Sequence, residues 1–162
     1  MNNLKQKITH LLKDEFVLRT EEVDKQGLSF AYVESASHFT YDDQALISEA
    51  FQSSGYSELV AFALEKLNGV PDSFRVPSHL EGVEKFDDTT SLFNYVLSSE
   101  DGKCFVVCTV EDYYIVCGPK DFVEKCLGKD LASAKQEFAD FAQTPDFPDY
   151  QRTFLLSLLQ KN

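Results

Sequence analysis

The sequence predicts an α+β fold in which a small antiparallel sheet of three to four strands is packed by about five helices. Residues 92–117 contain β-rich segments joined by short connections, which are typical of an antiparallel meander. Before and after this stretch, apolar residues recur at helical spacing between residues that suit helix caps. At this length we expect a single domain, residues 1–162.

The first part of the chain predicts a helix, a loop and a strand. The helix begins after Asn3, a suitable N-cap, and its apolar stripe fades by Leu18. Residues 21–27 are polar and predict a loop, whereas residues 28–34 alternate well enough to predict a short strand.

A pair of helices is predicted next. Thr40 and Asp43 have the spacing of a capping box, and Gly55 suits the left-handed turn that ends a helix. Ser57 then caps a second helix, which Gly69 ends. The apolar stripe of this second helix consists of Leu59, Val60, Ala63, Leu64 and Leu67.

The β-rich segments follow residues 70–88, which contain two prolines and predict mostly loop with one short turn of helix. The predicted strands are residues 92–97, 104–110 and 113–117. If Glu111 and Asp112 connect the last two strands, Val110 lies opposite Tyr113. Both faces of these strands are apolar, so we expect helices to cover the sheet on both sides.

The last part of the chain predicts three helices. Pro119 suits the first turn of the first helix, and Gly128 suits its end. Asp130 caps the second helix, residues 131–142, after which two prolines break the chain before a final helix, residues 149–160. The apolar stripe of the final helix consists of Tyr150, Phe154, Leu155, Leu158 and Leu159.

The charge of the chain excludes some partners. It is −12 at pH 7, from 15 basic and 27 acidic residues. Residues 1–81 hold 7 basic and 13 acidic residues and residues 82–162 hold 8 and 14, so each half carries −6. Because such a surface repels phosphates, we expect neither a nucleic acid nor a membrane as partner. No signal-peptide pattern or membrane-spanning apolar run is visible, which favours a cytoplasmic protein.

The residue types that bind metals or perform catalysis occur without a recognisable motif. The cysteines lack the short pairs of a structural zinc site and are predicted as reduced thiols in the core. They are Cys104, Cys108, Cys117 and Cys126. His38 is interpreted as a hydrogen-bonded loop histidine, and the paired carboxylates as exposed turn and cap residues. The chain is therefore predicted to hold no metal or cofactor and not to be an enzyme, although an enzyme without a linear motif is one alternative.

Three short segments place aromatic rings beside carboxylates: Tyr41 beside Asp42 and Asp43, Tyr113 after Glu111 and Asp112, and Phe147 and Tyr150 among Asp146 and Asp149. Protein interfaces are enriched in aromatic residues, and negative charge accelerates the capture of a basic partner. The segments around Tyr41 and Tyr113 lie at a predicted helix start and a predicted turn, which favours their exposure. The predicted partner-binding residues are Tyr41, Asp42, Asp43, Glu111, Asp112 and Tyr113.

Residues 110–128 combine a strand, a Gly-Pro turn and a short helix with the sequence DFVEK. This segment resembles segments of immunity proteins of bacterial toxin systems, including those of contact-dependent inhibition. The resemblance implies a small cytosolic protein that binds and blocks a toxin domain, often a basic nuclease. These proteins vary in fold, so the resemblance transfers no site residues. Besides a motif-free enzyme, the alternative is an acidic chaperone or adaptor for a secreted protein.

Overall fold

Six strands form one antiparallel sheet, and helices lie on both of its faces. The computed structural model describes residues 2–160. The strands are β1 (Leu12–Lys13), β2 (Val17–Leu18), β3 (Ser29–Glu34), β4 (Glu58–Ala63), β5 (Ser73–Pro77), β6 (Tyr95–Ser99), β7 (Phe105–Cys108) and β8 (Tyr113–Gly118). The helices are α1 (Asn2–Thr9), α2 (Thr20–Lys25), α3 (Tyr41–Ser53), α4 (Leu80–Thr90), α5 (Lys120–Leu127), α6 (Leu131–Ala142) and α7 (Asp149–Ser157).

The main sheet has the strand order β3-β8-β7-β6-β4-β5, and every neighbouring pair is antiparallel. Strands β1 and β2 form a separate two-stranded sheet, closed by the 3₁₀ turn Asp14–Phe16. The α+β class and the meander β6-β7-β8 are therefore confirmed. The predicted counts are too low, since residues 2–160 contain seven α-helices and sheets of six and two strands.

The helices predicted around residues 40–55 and after residue 118 are confirmed, with their caps. In α3 the Thr40 hydroxyl accepts the Asp43 N–H at 3.1 Å, and the Asp43 carboxylate accepts the Thr40 N–H at 3.1 Å. Helix α5 ends at Gly128, whose φ of 66° is a left-handed conformation that glycine adopts at little steric cost. The Asp130 carboxylate caps α6 as the sequence predicts.

The helix predicted over residues 59–67 is wrong, because this segment forms strand β4. β4 lies inside the sheet between β5 and β6, and its residues 59–63 are all buried. A strand covered on both faces is apolar at every position, and such a run also contains apolar residues at helical spacing. The pattern alone therefore did not distinguish the two structures.

Residues 70–88 are not mostly loop, but form β5 and most of α4. Pro77 ends β5, and proline is tolerated there because β5 lies at the edge of the sheet. The next helix begins at once, since the His79 side chain is its N-cap and accepts the Gly82 N–H at 3.1 Å. The short turn of helix predicted near Glu81 is the beginning of α4, which extends to Thr90. A histidine N-cap lies outside the usual capping residues, which explains why no longer helix was predicted here.

The N-terminal prediction is wrong in two places. Helix α1 ends at Thr9, and the apolar residues that follow reach the core from the β1–β2 hairpin and not from a longer helix. Residues 21–27 are not simply a loop, because α2 spans Thr20–Lys25. Glu21 and Glu22 in its first turn favour a helix start by their charge.

The register of β7 and β8 differs by one residue from the prediction. Cys108 pairs with Tyr114, so Val110 does not lie opposite Tyr113. The Thr109 hydroxyl donates to the Tyr113 carbonyl at 2.6 Å, which lengthens the connection. Because side chains alternate along a strand, this shift moves every side chain of β8 to the face opposite to the predicted one.

The sheet separates two hydrophobic cores, which confirms the expected helices on both faces. The first core lies under α3, α4 and α5 and includes Phe51, Phe86 and Phe122. The second lies on the opposite face under α1, α2, α6, α7 and the β1–β2 hairpin. Helix α6 packs along edge strand β3 and contributes to both cores, with Ala134 in the first and Phe138 in the second.

Candidate functional site

A cavity of about 670 Å³ lies where β3 ends and β8 begins. Its walls come from the end of β3, loop 35–40, the start of α3, the residue before β8, the end of α5, and α6. Elements from both halves of the chain therefore meet at this end of the sheet. Its position beside β3 follows from the packing of α6 along that edge strand.

The lining of the cavity combines aromatic and aliphatic walls with carboxylates. The apolar part includes Tyr32, Tyr114, Leu127, Phe138, Phe141 and Phe147. The acidic groups are Glu34, Asp43, Asp112 and Glu137, and the basic group is Lys129. Four carboxylates against one ammonium group leave an excess of three negative charges among the lining residues.

Each lining carboxylate has a different environment. Asp43 accepts the Thr40 N–H, and Asp112 accepts a hydrogen bond from the Gln151 side chain of α7. Glu137 forms an ion pair with Lys129. Thus the one lining ammonium group is already paired, while the carboxylates keep lone pairs for a further donor.

Burial fixes the protonation state of the tyrosines in the wall. It raises the pKa of Tyr114 well above the ordinary value, and the nearby Asp43 carboxylate raises it further. Burial also raises the pKa of Tyr32, whose hydroxyl accepts the Leu18 N–H at 3.0 Å. Both side chains are therefore neutral at physiological pH and add no charge to the cavity.

His38 fixes loop 35–40 through contacts of its buried side chain. Its φ of 60° lies in the left-handed region, and its Nε2 donates to the Phe93 carbonyl at 2.9 Å. Its Nδ1 faces Asp87 Oδ1 at 3.4 Å, and Asp87 also accepts from the Phe39 N–H and the Gln44 amide. Both ring nitrogens face other protein groups, so His38 is the hydrogen-bonded loop histidine that the sequence predicts.

The two segments that contain the predicted partner-binding residues, 41–43 and 111–113, meet at the cavity. Asp43 of the first and Asp112 of the second both line it. Tyr41 is 66% exposed, and Asp42 and Glu111 are exposed beside them. The structure thus brings Asp43 and Asp112 to one cavity, although they are separated by about seventy positions of sequence, and Tyr41, Asp42 and Glu111 are their neighbours along the chain.

Tyr113 is a correction, because it is fully buried and does not reach the surface. Its ring lies in the second core, 5.3 Å from the ring of Tyr32 and 6.4 Å from that of Phe154. The physical reason is that helices cover both faces of the sheet, so β8 is buried at every position, including its first residue. Tyr113 therefore cannot serve as a surface anchor in this fold.

Four large hydrophobic side chains in the described part of the chain are exposed. Each lies within two residues of a residue that lines the cavity or that hydrogen-bonds to a lining residue. Tyr41 lies beside the lining residue Thr40, and Val110, 51% exposed, lies two residues before Asp112. Tyr150, 78% exposed, adjoins Gln151, which binds Asp112. Leu92, 76% exposed, adjoins Phe93, whose carbonyl binds the lining residue His38. The exposure of Tyr150 corrects its predicted place on the apolar stripe of α7.

Sequence reasoning missed Glu34, Glu137 and Phe141 of the lining, and it placed Phe147 beside carboxylates without connecting it to the other segments. Nothing in the linear pattern links these residues, because they meet only when α6 packs on the edge of the sheet. The exposed Leu92 was read as part of a strand, whereas β6 begins three residues later.

The described residues contain neither a metal-binding cluster nor a membrane-spanning helix. Among residues 2–160, no group of three or more His, Cys, Asp or Glu side chains is arranged to hold a metal ion. None of the helices in the same part of the chain has the length and apolar character needed to cross a membrane. Comparisons with protein-family models, with curated proteins and with solved structures find no match to the chain.

Proposed function

We propose that this chain is a binding protein that neutralises a basic protein partner, most concretely an immunity protein that blocks a bacterial toxin domain in the cytoplasm. The observation that carries the proposal is the acidic cavity together with the four exposed hydrophobic side chains that lie within two residues of its lining residues or of their hydrogen-bond partners. The chain acts by occlusion, with the partner covering this end of the sheet.

The arrangement has the composition of a protein interface. Apolar and aromatic side chains at the centre of an interface provide most of the binding energy, while a polar rim fixes orientation. Here Tyr41, Leu92, Val110 and Tyr150 supply exposed apolar surface, and carboxylates adjoin them. Large exposed apolar side chains on segments that meet at one end of a sheet favour an interaction site there.

The net charge of −12 supports a basic partner. A negative potential of this kind attracts a positively charged partner over several ångströms and raises the association rate at low salt. Val110 and Asp112 also lie in the segment that resembles immunity proteins. The resemblance and the surface chemistry thus favour the same end of the molecule.

Co-expression with the polypeptides encoded next to its gene tests the proposed function. We expect one of them to arrest growth when it is expressed alone, and this chain to relieve the arrest and to co-purify with that polypeptide. The complex should weaken as NaCl rises from about 0.1 M to about 1 M, because the Debye length falls from about 10 Å to about 3 Å. A growth-arresting neighbour that is neither bound nor neutralised would contradict the proposal.

A further inference from the structure

We infer that the cavity accepts the side chain of an arginine, which would be presented by the partner of the proposed function. The inference depends on that function only for the origin of the arginine. The cavity itself, its aromatic walls and its charge are properties of this chain.

The charge of the lining calls for a cation. Lys129 is the single lining cation among the described residues, and Glu137 already pairs with it. Glu34, Asp43 and Asp112 then face the cavity with no cation against them. One bound guanidinium group with its five donors would neutralise part of this excess and satisfy free carboxylate lone pairs.

The aromatic wall favours a guanidinium group over an ammonium group. The Phe138 and Phe141 rings lie 5.7 Å apart, and the Phe141 and Phe147 rings 5.3 Å apart and nearly perpendicular. Phe141 and Phe147 are half-buried, whereas Phe138 is buried. Guanidinium groups stack on ring faces while they donate in plane to carboxylates, whereas the ammonium group of lysine is more strongly hydrated.

The cavity exists before any ligand binds. Its volume of about 670 Å³ lies within the range of about 300–1,000 Å³ that is usual for ligand sites. The capping box at Thr40 and the buried contact of His38 with Asp87 fix loop 35–40, which forms one wall. A pre-formed site avoids the cost of ordering loops on binding.

The test uses two probes of nearly identical shape, N-acetyl-arginine methylamide and its neutral analogue N-acetyl-citrulline methylamide. Each is titrated into the isotope-labelled full chain while backbone amide chemical shifts are recorded. We expect the arginine probe to shift amides of loop 35–40 and α6 in a saturable way, with an affinity in the millimolar range. The citrulline probe should give no saturable shift, and N-acetyl-lysine methylamide should bind more weakly than the arginine probe.

A pair of variants separates the cavity from the general charge. Glu34→Gln combined with Asp112→Asn should weaken binding of the arginine probe about tenfold, which corresponds to about 1.4 kcal/mol, since two charged acceptors of the guanidinium group are lost. Glu49→Gln combined with Glu81→Gln removes the same charge at exposed positions outside the cavity and should leave the affinity within about twofold. Glu34, Glu49 and Glu81 are exposed and Asp112 is half-buried, and every substitution keeps the size of the side chain, so we expect both variants to fold.

Three results would overturn the inference: no shift at the cavity with the arginine probe, equal shifts with the citrulline probe, or equal affinity for the lysine probe. A failure here is distinguishable from failure of the proposed function. If the probe does not bind but a toxic partner is neutralised, only the arginine assignment is wrong. If the probe binds and no partner is found, the cavity site remains and the immunity function is wrong.

Discussion

At the scale of single residues, His38 and Asp87 decide how loop 35–40 is held. The Phe93 carbonyl accepts only, so Nε2 of His38 must carry a hydrogen. Nδ1 lies 3.4 Å from Asp87 Oδ1 without a hydrogen bond between the two groups. Asp87 accepts from the Phe39 N–H and the Gln44 amide, so it ties loop 35–40 to α3 and α4.

Replacing Asp87 tests its part in holding the loop. We expect Asp87→Ala to lower the free energy of unfolding by about 1–3 kcal/mol, since the Phe39 N–H and the Gln44 amide lose their acceptor. The neighbouring Asp88 is exposed, and Asp88→Ala should change the stability by less than about 0.5 kcal/mol. Urea unfolding of the two variants measures the difference. Equal stabilities would show that Asp87 does not hold loop 35–40 in place.

The predicted site residues show what single positions reveal. Asp43 and Asp112 were found because local signals, a capping box and a polar turn, expose them. Tyr113 was misplaced because helices cover both faces of the sheet, so every position of β8 is buried, including the first. Local chemistry is therefore readable from the sequence, whereas the burial of a strand residue depends on what packs against its face.

At the scale of elements, β4 and α4 mark the limit of pattern reading. The apolar run of β4 fits a helix stripe as well as a buried strand, and only its neighbours β5 and β6 select the strand. Helix α4 begins three residues after Pro77, with Gly82 in its first turn. A Cβ atom on Gly82 would lie 2.0 Å from the Pro77 carbonyl oxygen, so the turn between β5 and α4 requires glycine there.

The substitution Gly82→Ala tests this close approach. Helix propensity alone predicts that alanine stabilises a helix by about 1 kcal/mol relative to glycine. The clash with the Pro77 backbone should reverse the sign and lower the free energy of unfolding by about 1–3 kcal/mol. Lys85→Ala, at an exposed position of the same helix, is the control and should change it by less than about 0.5 kcal/mol. A Gly82→Ala variant that is more stable than the wild type would contradict the packing described.

At the scale of the whole molecule, helices cover both faces of the sheet, and the candidate site lies where strands end. The sequence predicts the apolar faces and their helical covers, because these depend on composition and alternation. It does not predict the cavity, since Glu34, Asp43, Asp112 and Phe141 come from four elements that meet only in the folded chain. The even spread of charge along the sequence also hides the concentration of carboxylates at this end.

The central claim is that this end of the molecule binds the partner. Two variants, each lacking four negative charges, test it against the net charge alone. The site variant carries Asp42→Asn, Asp43→Asn, Glu111→Gln and Asp112→Asn. The control variant carries Asp14→Asn, Glu21→Gln, Glu49→Gln and Glu81→Gln, at exposed positions outside the cavity lining.

The deciding measurement is the equilibrium affinity of both variants for the toxic polypeptide identified by co-expression, by calorimetric titration at low salt. The account predicts that the site variant binds at least about 100-fold more weakly than the wild type, which is a loss of about 2.7 kcal/mol. The control variant should stay within about threefold of the wild type. Equal affinities of the two variants would contradict the account, because the binding energy would then not come from this end of the sheet.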